Sequence, residues 1–229
     1  MSMILNIDTA TDVASVSIAK QGTTLAEISN NDQKDHGSFL QPAINNLLQK
    51  TGIPLNDIDA IAVSAGPGSY TGLRVGMAST KGLCFALNRP LLTIGTLEIL
   101  AYATILGIAS QLRDQEILIC PMIDARRMEV FTALYDKNMN VIMEPTAIIL
   151  SPELFANRML KSKVVFAGSG ITKWQRIFTH PNAIFMTPQT NILAMNILSY
   201  QKYSCNSFSD VAYAEPMYLK EFYNGNVLP

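Results

Sequence analysis

The sequence predicts an α/β protein built from two duplicated halves, and three observations carry that prediction. Apolar strand-like runs alternate with helical patterns along the chain. Two of the runs, Ile4-Leu5-Asn6-Ile7-Asp8 and Ile117-Leu118-Ile119-Cys120-Pro121-Met122-Ile123-Asp124, end in an aspartate. Two others, Val63-Ser64-Ala65-Gly66-Pro67-Gly68 and Val164-Val165-Phe166-Ala167-Gly168-Ser169-Gly170, end in Ala-Gly-x-Gly. The spacing repeats as well: Lys20 stands 12 residues after Asp8, and the turn Asp136-Lys137-Asn138 begins 12 residues after Asp124. One strand–hairpin–helix–strand–glycine-loop unit, used twice, accounts for all of this.

In order, the first half predicts strands at Ile4–Ile7, Ala14–Ala19 and Thr24–Ser29, with a turn at Gln21-Gly22. A helix follows over Ser38–Lys50, then a strand at Ala60–Ser64, a glycine-rich loop, and a helix over Leu73–Leu87. A strand at Leu91–Ile94 leads to a helix from Thr96 to about Gly107, with Thr96 as its N-cap and Glu98 in the first turn. The second half predicts strands at Ile117–Asp124, Glu129–Tyr135 and from Val164, and a helix over Ile192–Tyr203 that packs back on the first half. The halves join near Ala109–Gln115, giving units 1–110 and 111–229.

Composition narrows the function classes. A chain of 229 residues with 48% hydrophobic and 15% charged residues can bury a core and is not disordered. A net charge of −1 and a pI of about 6.1 argue against a chain that carries nucleic acid by itself. Cys84, Cys120 and Cys205 form no Cys-x-x-Cys pair, which fits a reducing cytoplasm better than a disulfide framework. The N-terminus has no basic leader, and Asp8 interrupts its apolar run. The stretch Ile99–Ala109 is too short to span a bilayer.

The most informative segment is Gly66-Pro67-Gly68-Ser69-Tyr70-Thr71-Gly72-Leu73-Arg74-Val75-Gly76. It lies between a strand and a helix N-terminus, where backbone N–H groups favour an anion. It is no standard nucleotide fingerprint. The P-loop pattern fails at Thr71 and Leu73, and the dinucleotide pattern fails at Thr71. A plain turn and an anion loop therefore both remain open for Gly66, Gly68 and Ser69. Continued through Lys81-Gly82-Leu83, the segment closely resembles the hallmark of the TsaB (YeaZ) family. That family is an accessory subunit of the machinery that makes threonylcarbamoyladenosine on tRNA. The resemblance returns at Ile4-Leu5-Asn6-Ile7-Asp8-Thr9-Ala10 and at Asp124-Ala125-Arg126-Arg127-Met128-Glu129-Val130-Phe131, where the family usually has Gly in place of Met128.

The resemblance implies the actin/hexokinase/Hsp70-like (ASKHA) fold, two α/β halves facing across a cleft. That fold often holds ATP. Asp8 with Thr9 and Thr11 would form one phosphate loop, Asp124 the second, and Gly168 with Gly170 would approach the adenosine. The preferred reading is plainer: Asp8 and Asp124 cap their turns through backbone N–H groups. Related sequences have also been labelled glycoproteases, but a metal site needs clustered ligands. The chain has only His36 and His180, and lacks the His-x-x-x-His motif of the TsaD family. Ser69 lacks a Gly-x-Ser-x-Gly setting and is set aside as a nucleophile.

Two helices point to a partner instead. The second combines Gly72, Gly76, Ser79 and Leu83 along one line with an apolar line of Leu73, Met77, Thr80, Cys84 and Leu87. Each interior Gly costs a helix about 1 kcal/mol, so such a helix has a backbone that comes close to something. It is either a central core helix or a helix with core on one face and a partner on another. The first helix carries Phe39, Leu40, Ala43, Ile44, Leu47 and Leu48. The resemblance implies that these two helices pair with TsaD or with a second copy. Phe39, Leu40, Ala43, Leu47, Gly72, Leu73, Gly76 and Ser79 would form the interface, with Arg74 and Lys81 as rim charges. Arg126 and Arg127 open the second hairpin, either solvated or on an anion. Tyr213, Pro216, Tyr218, Lys220 and Tyr223 mark a tail laid extended on the surface.

Taken together, the resemblance implies a non-catalytic cytoplasmic scaffold that activates a TsaD-like transferase, with a TsaE-like ATPase in the assembly. It implies no metal and no cofactor in this chain, ATP and Mg²⁺ only in the partner complex, tRNA contact only through the complex, no membrane, and a homodimer in the partners' absence. The alternatives are an ATP-binding phosphotransferase or ATPase of the same fold and, behind it, a metallopeptidase.

Overall fold

The computed structural model describes residues 2–31, 36–108, 112, 115–188 and 191–220. The first half contains β1 (Met3–Asp8), β2 (Ala14–Lys20), β3 (Thr23–Asn30), α1 (His36–Thr51), β4 (Ala60–Ser64), α2 (Tyr70–Leu87), β5 (Leu91–Ile94) and α3 (Thr96–Gly107). The second contains β6 (Ile117–Asp124), β7 (Glu129–Asp136), β8 (Val141–Ile149), α4 (Ala156–Met159), β9 (Lys163–Ala167), α5 (Ile171–Trp174), β10 (Ala183–Met186) and α6 (Asn191–Ser204).

The strands form two five-stranded sheets of order β3-β2-β1-β4-β5 and β10-β9-β6-β7-β8. Counted within each half, the order is the same, and so are the directions. The first three strands pair antiparallel, and the fourth and fifth add in parallel. The duplication predicted from two aspartate-ended strands and two glycine loops is thus a duplication of topology. The predicted join near Ala109–Gln115 falls largely outside the described residues.

Burial follows from position. β1 is central and has helices on both faces, so Ile4, Leu5 and Ile7 are all fully buried. β3 lies at a sheet edge and alternates exposed and half-buried residues along its whole length. On one face of the first sheet, Leu40, Ala43, Ile44 and Leu47 of α1 and Met77 and Cys84 of α2 pack on Leu5, Ile7, Ile61 and Val63. On the other face, α3 and α6 pack on Ile4, Ala60, Ala62 and Leu92 through Ile99, Ala103, Ala194 and Leu198. α3 also presents Leu97, Leu100 and Ala101 to Ile117, Ile119 and Val165 of the second sheet. It is therefore the helix shared by both cores. The far face of the second sheet is closed by Phe166, Met159 and Trp174.

α6 belongs to the second half in sequence but docks on the first sheet, as its pattern predicted. A buried polar relay pins it there. Ser17 Oγ donates to Asn196 Oδ1 at 2.7 Å, and Asn196 Nδ2 donates to Thr24 Oγ1 at 2.7 Å.

The structure adds β8, β10, α4 and α5, which have no strong periodic signal. β8 carries Pro145 and is an edge strand, where a missing N–H leaves no ladder bond broken. Two helix starts also differ. α2 begins at Tyr70 rather than Leu73, because Ser69 Oγ accepts the Gly72 N–H at 3.3 Å. The N-cap of α3 is Gly95 rather than Thr96. Glu98 Oε2 reaches back to accept the Gly95 N–H at 3.3 Å, while Thr96 Oγ1 is buried with no partner. Among the described residues, no helix is long and apolar enough to cross a membrane.

Burial pushes the thiols of Cys84 and Cys120 up to about 12, whereas Cys205 is exposed. Only the thiolate reacts. At neutral pH the native protein is therefore expected to consume one equivalent of a thiol reagent, at Cys205, and all three cysteines are expected to react after denaturation. Asn196→Ala leaves the Ser17 hydroxyl without its partner and is expected to cost about 1–3 kcal/mol in a denaturant titration.

Candidate functional site

A cleft of about 1340 Å³ opens between the halves. Asp8, Gly68, Ser69 and Tyr70 line it from the first half, and Asp124, Arg126, Gly168 and Ser169 from the second. The duplicated strands thus bring together residues 116 positions apart as facing counterparts, Asp8 and Asp124.

Both aspartates make the same turn. Asp8 Oδ1 accepts the Ala10 N–H at 3.1 Å, and Asp124 Oδ1 accepts the Arg126 N–H at 2.6 Å. The turn-capping reading holds for both. Asp124 also has a built-in counter-ion. Lys173 Nζ on α5 donates to Asp124 Oδ1 at 2.7 Å, to Arg127 O at 2.8 Å and to Glu129 O at 2.7 Å. Three acceptors engage all three donors of the ammonium. Arg126 and Arg127 take left-handed φ values of 65° and 47°, so the left-handed corner precedes Met128, whose carbonyl accepts the Leu150 N–H.

The glycine loop is packed from inside. A Cβ on Gly68 would collide with the Ala10 carbonyl, one on Gly72 with the Thr9 carbonyl, and one on Gly76 with Thr9 Oγ1. Ser69 N–H donates to Ala10 O at 2.7 Å, and Thr9 Oγ1 donates to Gly72 O at 2.8 Å. The second loop repeats this. Gly170 N–H donates to Met122 O at 2.9 Å, and a Cβ on Gly168 would stand 2.5 Å from the same carbonyl. The glycines let the end of the first strand and its following turn in each half close on the facing loop. Lys173 stands on Asp124 as its counter-ion, with a side chain only 13% accessible. Among the described residues, no three of His, Cys, Asp and Glu come together as a metal site.

The predicted interface residues divide into two groups. Leu40, Ala43, Leu47 and Leu73 are buried in this chain's own core, and Gly72 and Gly76 are buried against Thr9. Their small size and apolar character serve internal packing, so they offer no surface to a partner. Phe39 and Ser79 are half-buried. Arg74 is exposed, but its Nε donates to Tyr218 Oη at 3.2 Å, and its guanidinium lies 4.0 Å over the Tyr70 ring. The Tyr218 hydroxyl raises the pKa of Arg74 further. Lys81 Nζ donates to Ala212 O at 3.0 Å and Ala214 O at 3.1 Å. Both charges hold the chain's own tail rather than a free rim.

Sequence reasoning missed the outer face of α2. Ala78, Gly82 and Ala86 are exposed there, and Phe85 is 86% exposed. One signal was available: Phe85 falls beside Lys81 and Asn88, off the apolar line. The Lys173 contacts had no sequence signal, because 49 residues separate it from Asp124.

Two sheets of identical strand order flanking a cleft define the actin/hexokinase/Hsp70-like class of fold. Comparison with known proteins gives the family. A family described as "TsaD: tRNA N6-adenosine threonylcarbamoyltransferase" matches residues 23–214. The tRNA threonylcarbamoyladenosine biosynthesis protein TsaB of Escherichia coli K12 is 30% identical over 224 residues, covering 95% of this chain and 94% of the relative. The Bacillus subtilis TsaB is 35% identical over 132 residues, covering 58% of this chain and 54% of the relative. The structure of YeaZ from Pseudomonas aeruginosa superposes with a TM-score of 0.77 at 27% identity, covering 96% of this chain and 100% of that one. The chain belongs to the TsaB (YeaZ) family, within the wider TsaD-type domain family.

Two glycines on one helix give opposite expectations. Gly72→Ala forces a methyl into the Thr9 carbonyl and is expected to destabilise by about 1–3 kcal/mol. A Cβ on Gly82 meets nothing within 4 Å, so Gly82→Ala is expected to stabilise by about 0.5–1 kcal/mol in the same thermal or denaturant measurement.

Proposed function

We propose that this chain is a non-catalytic subunit of tRNA threonylcarbamoyladenosine biosynthesis. It binds and activates a TsaD-like transferase, and a TsaE-like ATPase joins the assembly. The outer face of α2 is the observation that carries this reading. Phe85, a large aromatic, stands in solvent among Ala78, Gly82 and Ala86, small residues that allow another backbone to come close. A single exposed aromatic in a shallow, small-residue surface suits an anchor that fills a partner's pocket.

In this reading the unit 1–110 carries the docking helix and the unit 111–229 completes the fold. The self-capped aspartates and the Lys173–Asp124 pair support a chain that leaves ATP and Mg²⁺ to its partners. The balanced charge supports tRNA contact through the complex rather than by this chain alone. Without the transferase, a second copy covers α2 and a homodimer forms. The chain works in the cytoplasm.

The test is a drop-out reconstitution. A TsaD-like transferase, a TsaE-like ATPase, the adenylate-forming enzyme, tRNA, ATP, threonine and bicarbonate are mixed with and without this chain, and modified adenosine is counted. Modification is expected only with the chain present, and the chain alone is expected to hydrolyse neither ATP nor peptide. Modification that is indifferent to the chain overturns the reading. Gly82→Arg sharpens the test, because open space surrounds Gly82. This variant is expected to keep or raise the wild-type unfolding midpoint, lose transferase binding by at least about tenfold in a titration, and abolish the stimulation.

A further inference from the structure

Beyond α6 the chain runs back along the first half. Ser209 N–H donates to Leu91 O at 2.8 Å, and its hydroxyl shares a hydrogen bond with Thr93 Oγ1 at 2.8 Å. Val211 and Ala214 pack against the first core, while Lys81 grips the carbonyls of Ala212 and Ala214. Met217 N–H donates to Ala65 O at 2.6 Å. Gly66 has φ +106°, and a Cβ there would stand 2.7 Å from Met217 O, so this glycine leaves room for the tail to pass. The Tyr218 ring then sits 5.4 Å from the Tyr70 ring, with its hydroxyl on Arg74. Two residues later Lys220 forms an ion pair with Glu129, the first residue of β7 in the other half.

The place of this crossing matters. Tyr70 lines the cleft from the first half, and Asp124 and Arg126 line it from the second, just ahead of Glu129. Two residues of extended chain reach at most about 7 Å. The tail therefore passes from the first half, beside Tyr70, to the second half at Glu129.

We propose that Ser209–Lys220 is a strap from the first half to the second, with the Lys220–Glu129 pair as the buckle that sets how far apart the halves stand. α3, buried in both cores, is the fixed joint on which they turn. The anchored part, from Ser209 to Tyr218, stays with the first half. The buckle is partly exposed, with side chains 38% and 24% accessible, so it biases the opening and weakens with salt rather than locking the halves. The strap also ties the position of the glycine loop and the first turn of α2 to the second half. The proposal rests on contacts within this chain alone and stands or falls independently of the docking role of α2.

The experiment uses the full chain with Cys205→Ser, because that thiol is exposed. Spin labels are placed at Asn46→Cys on α1 and Lys161→Cys beyond α4, both exposed and away from the strap. The inter-label distance distribution is then measured. With labelled chain diluted into an excess of unlabelled chain, so that only distances within one chain are read, the unsubstituted strap is expected to give one narrow distribution. Lys220→Ala, and separately Glu129→Gln, is expected to broaden it towards longer distances with the unfolding midpoint unchanged. The exchange Lys220→Glu with Glu129→Lys is expected to restore the narrow distribution. An unchanged distribution in both single variants overturns the proposal. So does a broadening that the exchange fails to reverse, since the pair is then not the buckle.

Discussion

The structure depends on how closely the end of β1 and the turn that follows approach the start of α2. Thr9 and Ala10 sit directly against Gly68, Gly72 and Gly76, and their carbonyl and hydroxyl oxygens occupy the space where side chains would be. Two hydrogen bonds, from Ser69 N–H to Ala10 O and from Thr9 Oγ1 to Gly72 O, fix the approach. Buried polar groups that met no partner there would cost more than the glycines cost the helix. The placement of α2 over the first sheet, the shape of the cleft wall and the exposure of the outer helix face all follow from this contact.

The second half repeats the device with different chemistry. Gly168 and Gly170 close on the Met122 carbonyl as Gly68 and Gly72 close on Ala10 and Thr9. At the aspartate the halves part ways. Asp8 is 4% exposed, whereas Asp124 is more open and is held by Lys173. A carboxylate whose charge is met by a fixed ammonium attracts a divalent cation far less than a free one does. The duplicated cleft keeps the outline of a two-lobed fold, while its loops are satisfied by the chain itself. This supports the proposal that the chain contributes a surface rather than a reaction.

The tail joins these two features. Arg74 and Lys81 lie on the helix that the sequence marks most strongly, yet they point to Tyr218 and to the carbonyls of Ala212 and Ala214. With its charged side occupied internally, α2 offers small residues and Phe85 to the outside. Lys220 then carries the tail to Glu129. One helix thus meets the first core on one side, the tail on another, and solvent on the third.

The sequence by itself determined the fold class, the duplication and the family. Strand and helix periodicity, the repeated Asp-ended strands and the repeated glycine loops are local patterns, and burial on both faces makes β1 and β4 mostly apolar, with Asn6, Asp8 and Ser64 as the buried polar residues. It also marked Gly72 and Gly76 as sites of close approach, because an interior helical glycine is costly. What approaches them was decided only by the tertiary structure. Thr9 lies 63 positions from Gly72, and no spacing rule links the two. For the same reason Leu40, Ala43, Leu47 and Leu73 looked equally suited to a core or to a partner. An apolar stripe records that a face is buried and says nothing of what buries it. Lys173 on Asp124 and Lys220 on Glu129 are pairings across 49 and 91 positions, brought together by the folding of the second half on itself and by the return of the tail.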